Sequence, residues 1–216
     1  MNMITKLALG MMGQLRPQPA KGDSANSILL PPPAKNGGLP LMEALAKRRS
    51  SRDFAGTPLP LQLLSDLLWA AYGINRADGG RTAPSALNAQ EIDVFVALPS
   101  GAYLYDAAAH QLRLVAASDL RRITGYQDFV DEAPLDLIYV ANHTRMDMVP
   151  VAQREMYASA TAGAIAQNVY LFAASNDLPT VIRAWIDRAA IADALGLSHD
   201  QQVLLSQTVG YHQAAA

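Results

Sequence analysis

From Lys47 the chain reads Lys47-Arg48-Arg49-Ser50-Ser51-Arg52-Asp53-Phe54, with three guanidinium groups and two hydroxyls in consecutive positions. Arginine forks form charge-assisted, often bidentate bonds to phosphate oxygens, and nearby serine hydroxyls add further donors. The run therefore has the chemistry of a phosphate receptor. Basic residues at a helix end also complement the helix dipole or simply lie in solvent, and the run alone does not separate these readings. A second stretch, Ala83-Pro84-Ser85-Ala86-Leu87-Asn88-Ala89-Gln90, pairs a proline turn with small residues and two side-chain amides. Small residues let a flat ligand approach the backbone, and amides can read its polar edge. The same residues also suit an Asn-type turn leading into a strand.

These stretches need elements to hold them. The spacing of Leu41, Met42, Ala44 and Leu45 predicts a helix over 41–47, with the basic run at its C-terminal end. A second helix is predicted over 60–72, with Leu61, Leu64, Leu67 and Leu68 on one face and Trp69 beside them. Asn75, Asp78-Gly79-Gly80 and Pro84 mark 73–88 as a loop that brings Arg76 and Arg81 close to the second stretch. Strands are expected over 92–98, in two pieces of 101–115 around 106–110, and over 135–141. A short helix is expected over 119–129. The longest helix should run over 151–176, alanine-rich and apolar almost all round, with small residues that permit close helix–helix approach. A last helix over 187–195 ends at Gly196, and a last strand covers 203–210. Helices and strands alternate without a regular βαβ repeat, so the fold class is α+β.

Composition narrows the function. Half of the 216 residues are hydrophobic, 17% are charged and the net charge is −2, which fits a globular protein and argues against nucleic acid as a partner. Cysteine is absent, so thiol nucleophiles, thiolate metal sites and sulfur-ligated clusters are excluded and redox chemistry would need a bound organic cofactor. The four histidines show no ligand spacing, and no metal site is expected. No Gly-rich dinucleotide loop is present. Residues 39–216 read as one domain. Residues 1–38 read as an N-terminal extension: an amphipathic, frayed start at 1–13, then a Pro-rich arm or linker containing Pro31-Pro32-Pro33 that could cross a partner subunit. The apolar run in 1–13 is too short to span a bilayer and reads better as a frayed start than as an export signal. No membrane association is expected, and the location is cytoplasmic with periplasmic export left open.

In order and spacing, the two stretches resemble the nitroreductase family of FMN-dependent oxidoreductases, with its Arg-x-Ser-x-Arg/Lys and Pro-Ser-x-x-Asn-x-Gln motifs. Asn176 to Trp185 is similar to the family's late passage toward the flavin ring. The 103–115 hairpin looks most like the branch that includes SagB-type dehydrogenases. The resemblance covers about 41–211. It implies a central antiparallel or mixed sheet flanked by helices, in an intertwined homodimer with the 151–176 helix at its core. Arg48, Arg49, Ser50 and Arg52 would hold the FMN phosphate and ribityl chain. Pro84, Ser85, Ala86 and Asn88 would meet the flavin from the other subunit, and the Arg183-Ala184 backbone would meet its N5 edge. It also implies NAD(P)H as transient electron donor and a small aromatic acceptor, nitroaromatic or quinone-like, with no catalytic side chain. Heterocycle or peptide oxidation by oxygen, and flavin binding or fragmentation, are the alternatives. The chain departs from the family pattern at three places. Glu91-Ile92 replaces an aromatic pair, Arg183-Ala184 replaces a common Glu-Gly and sets a positive charge near the ring, and the C-terminus offers His212 or Arg49 in place of a terminal basic residue.

Overall fold

A computed structural model of the protein describes residues 1–213. Seven strands form one sheet, each antiparallel to its neighbours. Across the sheet they are Ser27–Leu29 (β2), Gln111–Ala116 (β5), Gly101–Asp106 (β4), Ile92–Leu98 (β3), Leu135–Asn142 (β7), Gln201–Val209 (β9) and Thr180–Arg183 (β8). Gln18–Pro19 (β1) and Ser118–Asp119 (β6) pair as a separate two-stranded ribbon. The helices are Met3–Met11 (α1), Leu41–Lys47 (α2), Leu61–Tyr72 (α3), Val151–Ser175 (α4) and Arg188–Leu195 (α5). Among the described residues no helix is long and apolar enough to cross a membrane.

Side chains alternate across the strands, so each central strand feeds two cores. Val94, Val96, Leu137 and Tyr139 face α3 and α4, where Leu64, Leu67, Leu68, Ile165 and Val169 meet them. Phe95, Ala97, Ile138 and Val140 face the opposite way, under Leu15, Leu120, Ile123, Ile191 and Leu195. On α3 the buried positions Leu64, Leu67, Leu68 and Ala71 recur at helical spacing, as the sequence requires. On α4 only one stripe is buried, from Ala158 through Ala162, Ile165, Ala166 and Val169 to Ala173. Its other side, with Met156 and Gly163, is uncovered in the single chain.

Two segments depart from expectation. Instead of a helix over 119–129 there are two short 3-10 turns, Arg121–Ile123 and Asp128–Asp131. The Asp119 carboxylate accepts from the Arg121 backbone N–H at 3.1 Å and grips its guanidinium at 2.6 and 2.9 Å, a local bond set that competes with helix formation. Gly125, between the turns, packs so closely on the Arg183 guanidinium that a Cβ would collide with it.

The expected frayed start is a capped helix. Asn2 Oδ1 accepts from Thr5 N–H at 3.0 Å, and Lys6 is fully buried, its Nζ donating to Gln127 O at 2.8 Å and pairing with Asp131 at 2.7 Å. The Pro-rich stretch lies along α3 of its own chain: Ser65 Oγ donates to Pro31 O at 2.6 Å and Gln62 Nε2 to Pro32 O at 3.0 Å. The hydrogen bonds that hold it come from side chains of α3, so helical periodicity carries no signal for its path.

Candidate functional site

Helix α2 ends at Arg48, whose extended backbone (φ −54, ψ 123) turns the basic run out along the edge strand β8. Ser51 N–H donates to Thr180 O at 3.0 Å, and Ala55 N–H donates to Tyr211 O at 2.7 Å. The run is thus stapled between β8 and the C-terminal passage. A cavity of about 820 Å³ opens there, lined by Arg48, Arg49, Ser51, Tyr170, Thr180 and His212 among others. The guanidinium of Arg48 sits 5.4 Å from the centre of the Tyr170 ring. Ser50 Oγ lies 2.7 Å from Tyr170 Oη, which also accepts from Ile182 N–H at 3.0 Å. Asn176 to Pro179, the late passage singled out in the sequence, forms another wall. Arg52 is exposed and lies outside the lining.

The second stretch is elsewhere. Ala86–Asn88 form a 3-10 turn, and Pro84, Ser85 and Ala86 border a separate cavity of about 300 Å³ with Tyr157 and Thr161 of α4. Those α4 residues precede Tyr170 by nine or more positions, about 14 Å or more along the axis at 1.5 Å per residue. A single chain therefore keeps the basic turn and the amide loop apart. The loop is held in an unusual backbone: Leu87, Asn88 and Gln90 have φ of 53, 54 and 50°, the left-handed region that side-chain-bearing residues seldom adopt.

Arg183 and Ala184 close β8. Alternation along the strand turns the Arg183 guanidinium into the core, where it donates to Asp136 Oδ1 at 2.7 Å and lies 5.5 Å from the Phe129 ring centre. Burial pushes this guanidinium's pKa down, against the pull of Asp136. The positive charge expected at the ligand edge is thus in the protein interior, leaving Ile182 N–H and the exposed Ala184 at the open edge. Trp185, 47% exposed, leans on Tyr126 with ring centres 5.4 Å apart.

Tyr170 is the site residue that the sequence does not reveal. An aromatic in an alanine-rich apolar helix carries the same signal whether it packs in a core or bonds a serine of the basic run. His212 is brought to the same cavity as Lys47, Arg48 and Arg49, which adds an imidazole to the cationic groups there.

Residues 45–211 match the model of the nitroreductase family. The chain belongs to the nitroreductase family. It is similar to a protein of Methanocaldococcus jannaschii named for nitroreductase, with 34% identity over 151 residues, 65% of this chain and 76% of that one. A Ralstonia eutropha JMP134 crystal structure, also named for nitroreductase, superposes with a TM-score of 0.89 at 50% identity, covering 93% of this chain and 96% of that one. That span is too long to fit within residues 39–216, so part of the N-terminal extension has a counterpart there. The NADPH:FMN oxidoreductase of Vibrio harveyi, solved with NAD⁺, shares the fold of this nitroreductase-family chain with a TM-score of 0.58 at 19% identity, over 81% of this chain and 69% of that one. The family makes the protein an oxidoreductase with a mixed α+β fold.

Proposed function

We propose that this protein is an FMN-dependent oxidoreductase that works as a homodimer. It takes hydride equivalents from NAD(P)H and passes electrons to a flat, electron-poor acceptor such as a nitroaromatic or a quinone. One observation carries the reading: Arg48, Arg49 and His212 converge on a cavity of about 820 Å³ whose wall includes Tyr170 and the edge of β8. The volume lies in the range of cofactor sites. Two guanidiniums and the Lys47 ammonium outweigh the one carboxylate in the lining, Asp177, so the donor set suits a phosphate monoester. Arg48 and Arg49 would hold the phosphate, and Ser50, backed by Tyr170, would bond the ribityl chain. The backbone of the Arg183-Ala184 passage would meet the ring. Arg52 would add charge from the rim.

The separation of the Pro84–Asn88 loop from this cavity supports the dimer, because the loop of a second copy can close what its own chain leaves open. The uncovered side of α4 supplies a surface for that copy. When bound, FMN supplies the hydride and electron chemistry, and the chain's own task is binding, orientation and the exclusion of water. No acid, base or nucleophile is assigned. A supply of NAD(P)H fits a cytoplasmic location, and the Vibrio harveyi neighbour's name supports nicotinamide as donor.

The test is an anaerobic titration of the purified full-length protein. Added FMN is expected to bind tightly, NADPH or NADH to bleach it, and a nitroaromatic to restore its colour. Arg48→Ala should raise the FMN Kd at least tenfold, on the scale of a lost charge-assisted bond. A protein that takes up no FMN sinks the proposal. Reduction by a heterocyclic peptide but not by NAD(P)H would move it to the dehydrogenase alternative, and oxygen-dependent loss of intact FMN to the fragmenting one.

A further inference from the structure

A second basic cavity shares no residue with the one just described. It measures about 350 Å³ and lies between β3, β4 and the loop that ends at Gln90, with Arg81, Arg113 and Arg145 in its walls. Arg145 is committed, donating from Nη1 to Gln90 O at 2.9 Å and from Nη2 to Asp93 Oδ1 at 2.6 Å. Arg81 donates from Nε to Gln90 Oε1 at 2.8 Å and from Nη1 to Tyr72 O at 3.1 Å, which leaves its Nη2 without a protein partner among the described residues. Arg113 has a 3.5 Å approach of Nε to Asp106, and among the described residues neither of its Nη groups has a protein partner. Asp93 and Asp106 also line it, so three guanidiniums face two carboxylates and keep one positive charge in excess, while Ala89, Leu104 and Ala107 beside the rings of Tyr72 and Tyr105 supply an apolar part of the wall.

Planar guanidinium forks match a carboxylate, and the apolar wall suits a small hydrophobic body attached to it. The volume is at the low end for a ligand pocket, which favours a compact acid over a nucleotide. The same arginines also hold the strained loop. Gln90 donates from its backbone N–H to Ser85 Oγ at 3.0 Å and from Nε2 to Gly79 O at 3.1 Å, while accepting from both Arg81 and Arg145. An anion that draws Arg81 toward itself competes with Gln90 for that guanidinium.

We propose that this cavity binds a small carboxylic acid with an apolar body, and that its occupancy is transmitted through Gln90 to the Pro84–Asn88 loop. The binding half is independent of the flavin reading; the transmission half rests on it.

Benzoate is the probe. Titrated into the full-length protein, with and without FMN, it is expected to shift the amide resonances of Arg81, Gln90 and Arg113 saturably. Arg113→Ala should weaken benzoate at least tenfold and Arg113→Lys by less, both without changing the FMN affinity of the benzoate-free protein. Arg113 is exposed, so the variants should keep the native spectrum. No saturable shift, equal binding by Arg113→Ala, equal binding of inorganic phosphate, or shifts confined to the Arg48 cavity would each overturn the site. Saturating benzoate should also change the FMN Kd at least threefold in the unmodified chain, and a constant Kd overturns the transmission. A protein that binds benzoate but no FMN would refute the function proposed above and leave the site standing.

Discussion

The two faces of the central sheet are built on different chemistry. Toward α3 and α4 the strands present Val94, Val96, Leu137 and Tyr139 to a mostly aliphatic layer. On the other face the same strands bury charge. Asp136 sits one residue from Leu137 on β7 and accepts from Arg183, Thr124 and Thr208, while Arg121–Asp119 and Lys6–Asp131 lie in the layer that covers it. An apolar face tolerates substitution in proportion to the volume lost, whereas a face of buried ion pairs is all-or-none, because each charge is tolerable only while its partner stays. The polar face carries the end of β8, beside the candidate flavin site, so the rigidity of that edge depends on the ionic layer.

Adjacent residues of β7 offer the sharpest way to break this contrast. Asp136→Ala should cost about 3–5 kcal/mol in urea unfolding, since it strands the buried Arg183 guanidinium. Pairing it with Arg183→Met should recover most of that loss. If the single change costs no more than a surface substitution, the ionic face is not what it is described to be. Leu137→Ala, on the opposite face, should cost about 2–4 kcal/mol and add to distant core changes without recovery.

A smaller effect is expected at Lys6, where burial pushes the ammonium pKa down against the pull of Asp131. Lys6→Met keeps the alkyl stem but removes the bonds to Gln127 and Asp131, and about 2 kcal/mol should be lost. Asp131 retains Arg122 at 3.7 Å and the N-terminal amine at 3.4 Å, which limits the damage.

The smallest effect is a pH dependence. His110 bonds Ser65 Oγ through Nε2 at 2.6 Å and Tyr105 Oη through Nδ1 at 3.0 Å, and burial lowers its pKa from the usual 6.5. The folded state therefore binds this proton less readily than the unfolded chain. Its contribution is complete above about pH 6.5 and is lost as the pH falls below that value. His110→Asn should flatten the fall in melting temperature between pH 7 and 5. An unchanged slope would mean that the ring is solvated.

The apolar face was the legible one. The ranges of α3, β3 and the β4–β5 hairpin follow from spacing because one physical term, burial of aliphatic area, sets them. Helix α2 also runs as its spacing predicts, although Ala44 is its one buried residue in the single chain. The charged face is opaque for the converse reason. Nothing local in Ile182-Arg183-Ala184 tells that the arginine turns inward to meet Asp136, 47 residues away. Likewise, helix α1 depends on Lys6 reaching Gln127 and Asp131, contacts more than 100 residues distant. At the candidate site, the arginine–serine turn and the amide loop were readable as motifs. Their mutual distance, the role of Tyr170 and the second basic cavity required the folded chain.

The Tyr170 hydroxyl has a further consequence, one of direction. Its oxygen already accepts from Ile182 N–H, and an oxygen polarised in that way is the better donor to its other neighbour, Ser50 Oγ. The three groups then form a one-way relay running from the strand edge outward. Ser50, as its last member, accepts a hydrogen bond from behind and keeps its own proton free to point outward. Exposed and next in the chain to Arg49 and Ser51 of the cavity lining, the serine is thereby biased to act as a donor, so the polarity of a β-strand's edge is carried through one phenol to the surface beside the cavity.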